Sequence, residues 1–500
     1  MAKVYKIHPA IGIARIGNAT GFFIGPEKPG DPGVEITVTG ESRIAQYKAG
    51  GKVKKQAARF RIWEYDEAPG GALTALREIT SEEAAITWRV HLVNSKAAGK
   101  QIQPQAQPGG YSVLAPIGPP RNSPITDRAS LIIDGGVQSI ASGTIGGPTC
   151  KGFFLGKSVA LGQLRTDAKG RLLVLGGDGE SEGIPSSPGG AVQALSSYAN
   201  NNRWHDDVSD GPVTAEIKFG SGPIITVQDS AWVICAPPDF APQVSSFVTL
   251  YDVVLEAAVE AGLAAVPTTV SFRRDVQPIL ARAASMRWTN LFSHWAGVSE
   301  DWPALSPTSL AARPLRDATA QKILGSPLSE VRIPSRIRRV LTEWVEGRHI
   351  NDWGMPEPTL SEPEALDRAA LESGVGANFY PGIEGSFLLS QKALYRAPFR
   401  FLFTTVAGQI TEAMALPWQA DFHDCAGTWW PSQRPDSVFR SAADVPDNPK
   451  DWSRGAAFSS TAASRKLMKE KVLLLGFVTP VTVAGSTVLL ESERDDTLGA

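Results

Sequence analysis

The sequence predicts a mixed α+β protein, with a β-rich N-terminal half and a more helical C-terminal half that carries the chemistry. Two observations support this. Up to about residue 262 the apolar residues alternate, or run in short blocks broken by glycine and proline, which is the period and punctuation of strands and turns. Beyond that point apolar residues recur at helical spacing behind capping signals. The 48 glycines and 37 prolines fit a loop-rich sheet architecture.

Taken in order, Arg171-Leu-Leu-Val-Leu175 reads as a strand that stops at the turn Gly176-Gly-Asp-Gly179. Val213, Ala215, Ile217 and Phe219 alternate with Thr214, Glu216 and Lys218, so one face of that strand is buried. Gly220-Ser-Gly222 turns it into Pro223-Ile-Ile-Thr-Val227, a hairpin. Composition shifts at Gly262-Leu-Ala-Ala-Val-Pro267. A chain of 500 residues exceeds the usual size of one core, so the expected division is 1–264 and 265–500. In the second part Ile337, Val340, Leu341 and Trp344 share one helix face. Ser361-Glu-Pro-Glu364 is a capping box opening a helix through Leu366, Ala370 and Leu371. Lys471 to Glu491 returns to strand-like runs that could pair back onto a sheet.

Composition narrows the function classes. Net charge is −2 with both signs interspersed, which argues against nucleic acid and anionic membrane as partners. No apolar run is long enough to span a bilayer, and the N-terminus lacks a continuous apolar stretch. The expectation is a soluble protein, cytoplasmic or exported without a recognisable signal peptide. Three cysteines, Cys150, Cys235 and Cys425, do not make a disulfide framework. Gly152-Phe-Phe-Leu-Gly156-Lys-Ser158 is one residue short of a phosphate loop and reads as a strand with a turn. His205-Asp206-Asp207 with Asp210 reads as turn-forming aspartates, and no metal is expected.

One stretch concentrates reactive groups. Trp418-Gln-Ala-Asp-Phe-His-Asp-Cys425 is followed by Ala-Gly-Thr-Trp429-Trp430-Pro-Ser-Gln-Arg434-Pro-Asp436. Four chemistries are open to it. Cys425 could be a nucleophile activated by His423. His423, Asp424 and Cys425 could bind a metal, although adjacent residues of an extended segment point to opposite faces. The aromatics and the thiol could simply be core. Finally, an indole oxygenated to an ortho-quinone and locked by a cysteine sulfur could itself be the cofactor, with a carboxylate as base.

The chain resembles the LodA-like quinoprotein oxidases, the L-lysine ε-oxidase and glycine oxidase type, almost end to end. The resemblance rests on Ile7-His-Pro-Ala-Ile-Gly-Ile-Ala-Arg-Ile-Gly17, Lys55-Gln-Ala-Ala-Arg-Phe-Arg61, Asp206-Asp-Val-Ser-Asp-Gly-Pro212 and Ala236-Pro-Pro-Asp-Phe-Ala-Pro242. Further matches are Phe379-Tyr-Pro-Gly-Ile-Glu384, Trp418-Gln-Ala-Asp-Phe422, Cys425 and Trp429-Trp-Pro-Ser-Gln-Arg-Pro-Asp436. It implies cysteine tryptophylquinone formed from Cys425 with Trp429 or Trp430, Trp430 being favoured, and Asp421 as the base. His423, Asp424, Arg434 and Glu384 become supporting residues. The implied reaction is oxidation of a primary amine or amino acid by O₂ through a Schiff base, giving an aldehyde or keto acid, ammonia and H₂O₂. The implied partners are a LodB-like flavoprotein for maturation and further copies of the chain in a homo-oligomer.

Two departures stand out. Only Ala426-Gly-Thr428 separates Cys425 from the tryptophans, where the family carries a long insertion. His205 stands where the family has an aromatic residue associated with substrate access. The alternative function is a family member without amine oxidase activity, acting as a binding scaffold or keeping its Cys and Trp unmodified.

Overall fold

The computed structural model describes all residues except 1, 107–111, 145, 291–296, 326–332, 357–358, 377–383, 426–430, 459–460 and 499–500. The side chains of 112, 113 and 386 are also outside this description. The architecture is mixed α+β, with the sheet in the first half and most helices in the second.

The main sheet runs through nine strands: Ile133–Ala141, Ala84–Asn94, Ser209–Phe219, Ala231–Ala236, Ile11–Arg15, Lys55–Glu67, Leu172–Gly176, Lys157–Thr166 and Thr149–Phe154. Neighbours are antiparallel except for Ile11–Arg15 beside Ala231–Ala236. The two end strands return toward each other, so the sheet curls. A Cβ added at Gly152 would meet the Asp134 backbone nitrogen at 2.6 Å, so that approach requires glycine. The interior is filled by the inward face of the strands, with Phe60, Trp88, Leu92, Leu161, Val174 and Ile217 buried together. The expected alternating strand is Ser209–Phe219, and its hairpin partner is Ile224–Thr226. The phosphate-loop lookalike is the hairpin between Phe154 and Lys157.

A second core lies on the outer face. Ile11, Ile13, Trp232 and Ile234 pack there against the helical half. The first helix, Leu250–Glu260, begins before the composition shift, with Thr249 and Asp252 forming its capping box. Ser335–Val345 buries Ile337, Val340, Leu341 and Trp344, the face read from the sequence. Glu362–Glu372 opens on the Ser361–Glu364 capping box. The C-terminal strands, Phe477–Val483 and Ser486–Ser492, form their own hairpin and do not join the main sheet. The turn Ala484-Gly485 closes the pair locally, with positive φ at both residues.

Candidate active site

The reactive stretch is a helix over Trp418–Asp424, not an extended segment. Its seven residues contain no glycine, proline or β-branched side chain, and Pro417 precedes them at the N-cap. Trp418 and Phe422, four residues apart, stack edge-on at 4.9 Å and anchor one face in the core. Helical spacing therefore places Asp421 and Cys425 on one side, one turn apart.

Both ends of this short helix are tied by charged side chains. Trp418 donates its backbone N–H to Asp206 Oδ2 at 3.0 Å. At the other end the Phe422 carbonyl accepts from Arg434 Nε at 2.7 Å. A carboxylate at the start and a guanidinium at the end satisfy groups a helix leaves unpaired and complement its dipole. Arg434 also donates to Asp436 at 3.0 Å and lies over the Trp452 ring.

Cys425 Sγ donates to Asp421 Oδ1 at 2.8 Å. Asp421 is fully buried, and its Oδ2 has no hydrogen-bond partner among the described residues. Burial pushes its carboxyl up to about 7, and the thiol and the Lys96 charge only partly offset that rise. A carboxyl poised there can exchange a proton near neutrality.

The other expected residues separate into groups. His423 joins Asp424 at 3.0 Å and Ser464 at 2.9 Å, and Asp424 accepts from Arg465 at 2.6 Å. These bonds dock the C-terminal helix, Ala462–Lys471, against the site helix. Glu384 is fully buried and accepts from Arg15 at 2.5 Å and from the Val375 N–H at 2.6 Å, which ties the sheet to the end of helix Glu362–Glu372. The His205 ring lies tilted beside that of Phe154, with centroids 5.2 Å apart. Among the described residues both His205 ring nitrogens are buried without partners, and no hydrogen bond joins it to Asp421 or Cys425. Strand alternation explains this, since its neighbour Asp206 is the residue that faces the site helix. Trp429 and Trp430 lie outside the described residues.

The three aspartates read as turn formers instead tie distant elements. Asp206 binds the site helix, Asp207 accepts from the Gly179 and Glu180 N–H groups, and Asp210 from Thr411 and Trp232. Only the 3.3 Å bond from the Val208 N–H to Asp206 has turn spacing.

Sequence reading missed Lys96, Arg121 and Tyr198. Lys96 donates to Asp206 Oδ2 at 2.8 Å with both side chains fully buried. Arg121 is buried and donates to the Lys96 carbonyl at 2.8 Å. Tyr198 is half-buried, and its phenol is raised by burial and by the nearby Asp421 and Cys425 charges. No local signal marks them, because a lysine after a strand normally points to solvent. A separate cleft of about 820 Å³ is lined by Arg61, Asp252, Arg282, Arg336 and Arg368, and by no residue of the site helix. Four of its arginines are ion-paired: Arg61 with Glu27, Arg368 with Glu372, and Arg282 and Arg336 with Asp252.

Family models decide the kinship. The L-lysine ε-oxidase N-terminal model matches residues 8–235, and the L-lysine ε-oxidase C-terminal domain model matches residues 337–443. The chain belongs to the LodA-like oxidase family. Within that family, L-lysine 6-oxidase of Marinomonas mediterranea is 25% identical over 84% of this chain and 71% of its own. Two solved structures of L-Lys ε-oxidase from the same organism share the LodA-like fold. One is a Schiff base intermediate with L-Lys, at a TM-score of 0.78, 20% identity and coverage of 98% of this chain and 95% of the other. The second also has a TM-score of 0.78 at 20% identity, covering 99% and 95%.

Proposed function

We propose that this protein is an amino-acid oxidase that works through cysteine tryptophylquinone, built from Cys425 and Trp429 or Trp430, with Asp421 as proton acceptor. The observation that carries this reading is the 2.8 Å contact between Cys425 Sγ and the buried Asp421 carboxyl, in a chain similar to an L-lysine 6-oxidase. The residues present suit the group. The sulfur closes the site helix immediately before 426–430, and Asp421 keeps one buried oxygen without a partner among the described residues. When formed, the quinone supplies an electrophilic carbonyl for a primary amine and a sink for an electron pair.

The chain's own task is to hold the substrate carbon against a base and keep water out. Asp421 Oδ2 takes the proton from the carbon bearing the amine. Burial raises its carboxyl to about 7 in the unprocessed chain, which makes it a stronger base than an ordinary carboxylate. Trp418 and Phe422, both fully buried and packed edge-on, anchor the helix that carries that carboxyl in a water-excluded core. Overall, a primary amine, water and O₂ give an aldehyde or keto acid, ammonia and H₂O₂. Maturation falls to a LodB-like flavoprotein. The short Ala426-Gly-Thr428 link departs from the family, so the substrate is sought with an amino-acid panel and not taken over from lysine.

Co-expression with such a flavoprotein tests the reading. The expected product carries visible absorbance and an intact mass with two added oxygens and several hydrogens lost, and it forms peroxide with some member of an amino-acid panel. The short link also motivates a second reading, a scaffold with unmodified Cys and Trp. An encoded mass with no chromophore after co-expression would establish that reading in its place.

A further inference from the structure

The site helix rests on a buried charge system that no part of the proposed chemistry yet uses. Lys96 follows the strand Ala84–Asn94 and opens a short 3-10 turn, Lys96–Ala98. Asn94 fixes its backbone by accepting from the Lys96 N–H at 3.0 Å. The same asparagine donates to Asp206 at 3.0 Å, and Asp206 Oδ2 accepts both Lys96 Nζ and the first N–H of the site helix. A single carboxylate thus links a buried ammonium to the helix that presents Asp421 one turn later.

The charges in this layer do not balance without Asp421. Lys96 and Arg121 are both buried, burial lowers both groups, and the Asp206 and Asp421 carboxyls are what favour the charge on Lys96. Arg121 donates to the Asn200 side chain and the Lys96 carbonyl, and it forms no ion pair among the described residues. Asp206 is the buried carboxylate that opposes both, and the exposed Glu412 adds a weaker attraction to Arg121. Unbalanced buried charge is costly, and a second anion in the same layer relieves it. Asp421 is the buried carboxyl within electrostatic reach of Lys96.

We infer that Lys96 is a positioning residue for the oxidase, supplying the positive charge against which Asp421 ionises. This rests on the reading of Asp421 as the base. The groups that act electrostatically on Asp421 are Cys425 and Asp424 of its own helix, Lys96 of the turn after the strand, and Tyr198 of the 184–203 loop. Asp206 and Arg121 stand behind Lys96. Of these, the Cys425 thiol and Lys96 favour the carboxylate, whereas Asp424 opposes it. Thioether formation consumes the S–H, so the thiol can no longer donate. Lys96 then remains as the group that favours the ionised base, and its role grows as the cofactor matures.

Two variants break the same ion pair and leave opposite charges behind. Lys96→Met leaves Asp206 unopposed, and Asp206→Asn leaves the lysine unopposed while keeping an acceptor for the Trp418 N–H. The readout is the pH midpoint of the Asp421 carboxylic C=O band in the infrared, assigned by its loss in Asp421→Asn. It is measured on the full chain expressed without the flavoprotein. Lys96→Met is expected to raise the midpoint by at least about one pH unit, tenfold in the ionisation constant. Asp206→Asn is expected to leave it at or below the wild-type value, and Lys96→Arg to leave it unchanged. Mere loosening of the helix would move both pair-breaking variants the same way. A shared direction, or no movement in either, overturns the inference. If Lys96→Met does not fold, Asp206→Asn decides, because a midpoint above wild type contradicts it.

In chromophore-bearing protein, the acidic limb of the pH profile for peroxide formation should move with the infrared midpoint. An infrared shift in a chain that never gains a chromophore supports the charge coupling and removes the oxidase reading. Turnover with an unmoved midpoint removes only Lys96.

Discussion

Asp421 and Asp424 sit on the same short helix, three residues apart, and meet opposite fates. Asp421 turns inward, where burial raises it to about 7 and its bond from Cys425 restores only part of the loss. Asp424 turns toward the C-terminal helix. Burial alone would raise it too, but hydrogen bonds from His423 and Arg465 hold it below the ordinary carboxylate value. One carboxyl is supplied with every partner it needs and is locked as an anion. The other keeps an oxygen unpartnered among the described residues and can take up a proton. On the proposed reading, chemistry falls to the under-supplied one and assembly to the satisfied one.

The sharpest way to break this contrast is to remove each carboxyl in turn. Asp421→Asn should abolish both chromophore and peroxide formation after co-expression, a loss of at least about a thousandfold on the scale of a missing base and a missing maturation step. Retained turnover would take Asp421 out of the mechanism. In the unprocessed chain the same variant should be more stable than wild type at pH 8. The sign follows from the raised value. Between the unfolded carboxylate range and about 7, the folded state binds the extra proton, so stability falls as pH rises through that window. A neutral amide does not carry this cost. Thermal melts at pH 5 and pH 8 should show the gap between variant and wild type widening at the higher pH.

Asp424→Asn should do the reverse, leaving chromophore and peroxide formation largely intact while lowering stability by about 2 kcal/mol through lost charge-assisted bonds. Its depressed value gives stability that is present above the unfolded carboxylate range and is lost as pH falls through the folded one. The difference from wild type should therefore shrink in acid, and denaturant melts at pH 7 and pH 3 check it. Arg465→Ala should reproduce that loss. The smallest effect belongs to Thr461→Ala, which removes the hydroxyl that accepts the Ser464 N–H at the start of the same helix, about 1 kcal/mol with activity unchanged.

What the sequence made legible follows from how local each signal is. The alternating strand Ser209–Phe219, its hairpin and the Ser361–Glu364 capping box are contests decided within ten residues, and the structure contains all of them. The site helix is not legible as a helix because seven residues are too few to display a helical period, and Asp206 and Arg434 hold its ends from distant sequence. Lys96 meets Asp206 across 110 positions of sequence, a contact fixed by sheet topology and invisible to local pattern. His205 stands at a position that the resemblance associates with substrate access, and its ring lies beside Phe154, a contact between strands distant in sequence that local pattern does not display. The C-terminal strands were legible as strands, while their choice of partner depended on the Ala484-Gly485 turn.

The contrast between the two aspartates reduces to whether Asp421 and Cys425 build a cofactor. Intact mass of the full chain, co-expressed with a LodB-like flavoprotein, reads this directly when wild type, Asp421→Asn and Asp424→Asn are measured side by side. The expected result is a gain of two oxygens and loss of several hydrogens in wild type and Asp424→Asn, with Asp421→Asn at its encoded mass. The same mass shift in Asp421→Asn, or the encoded mass in all three, would contradict the account.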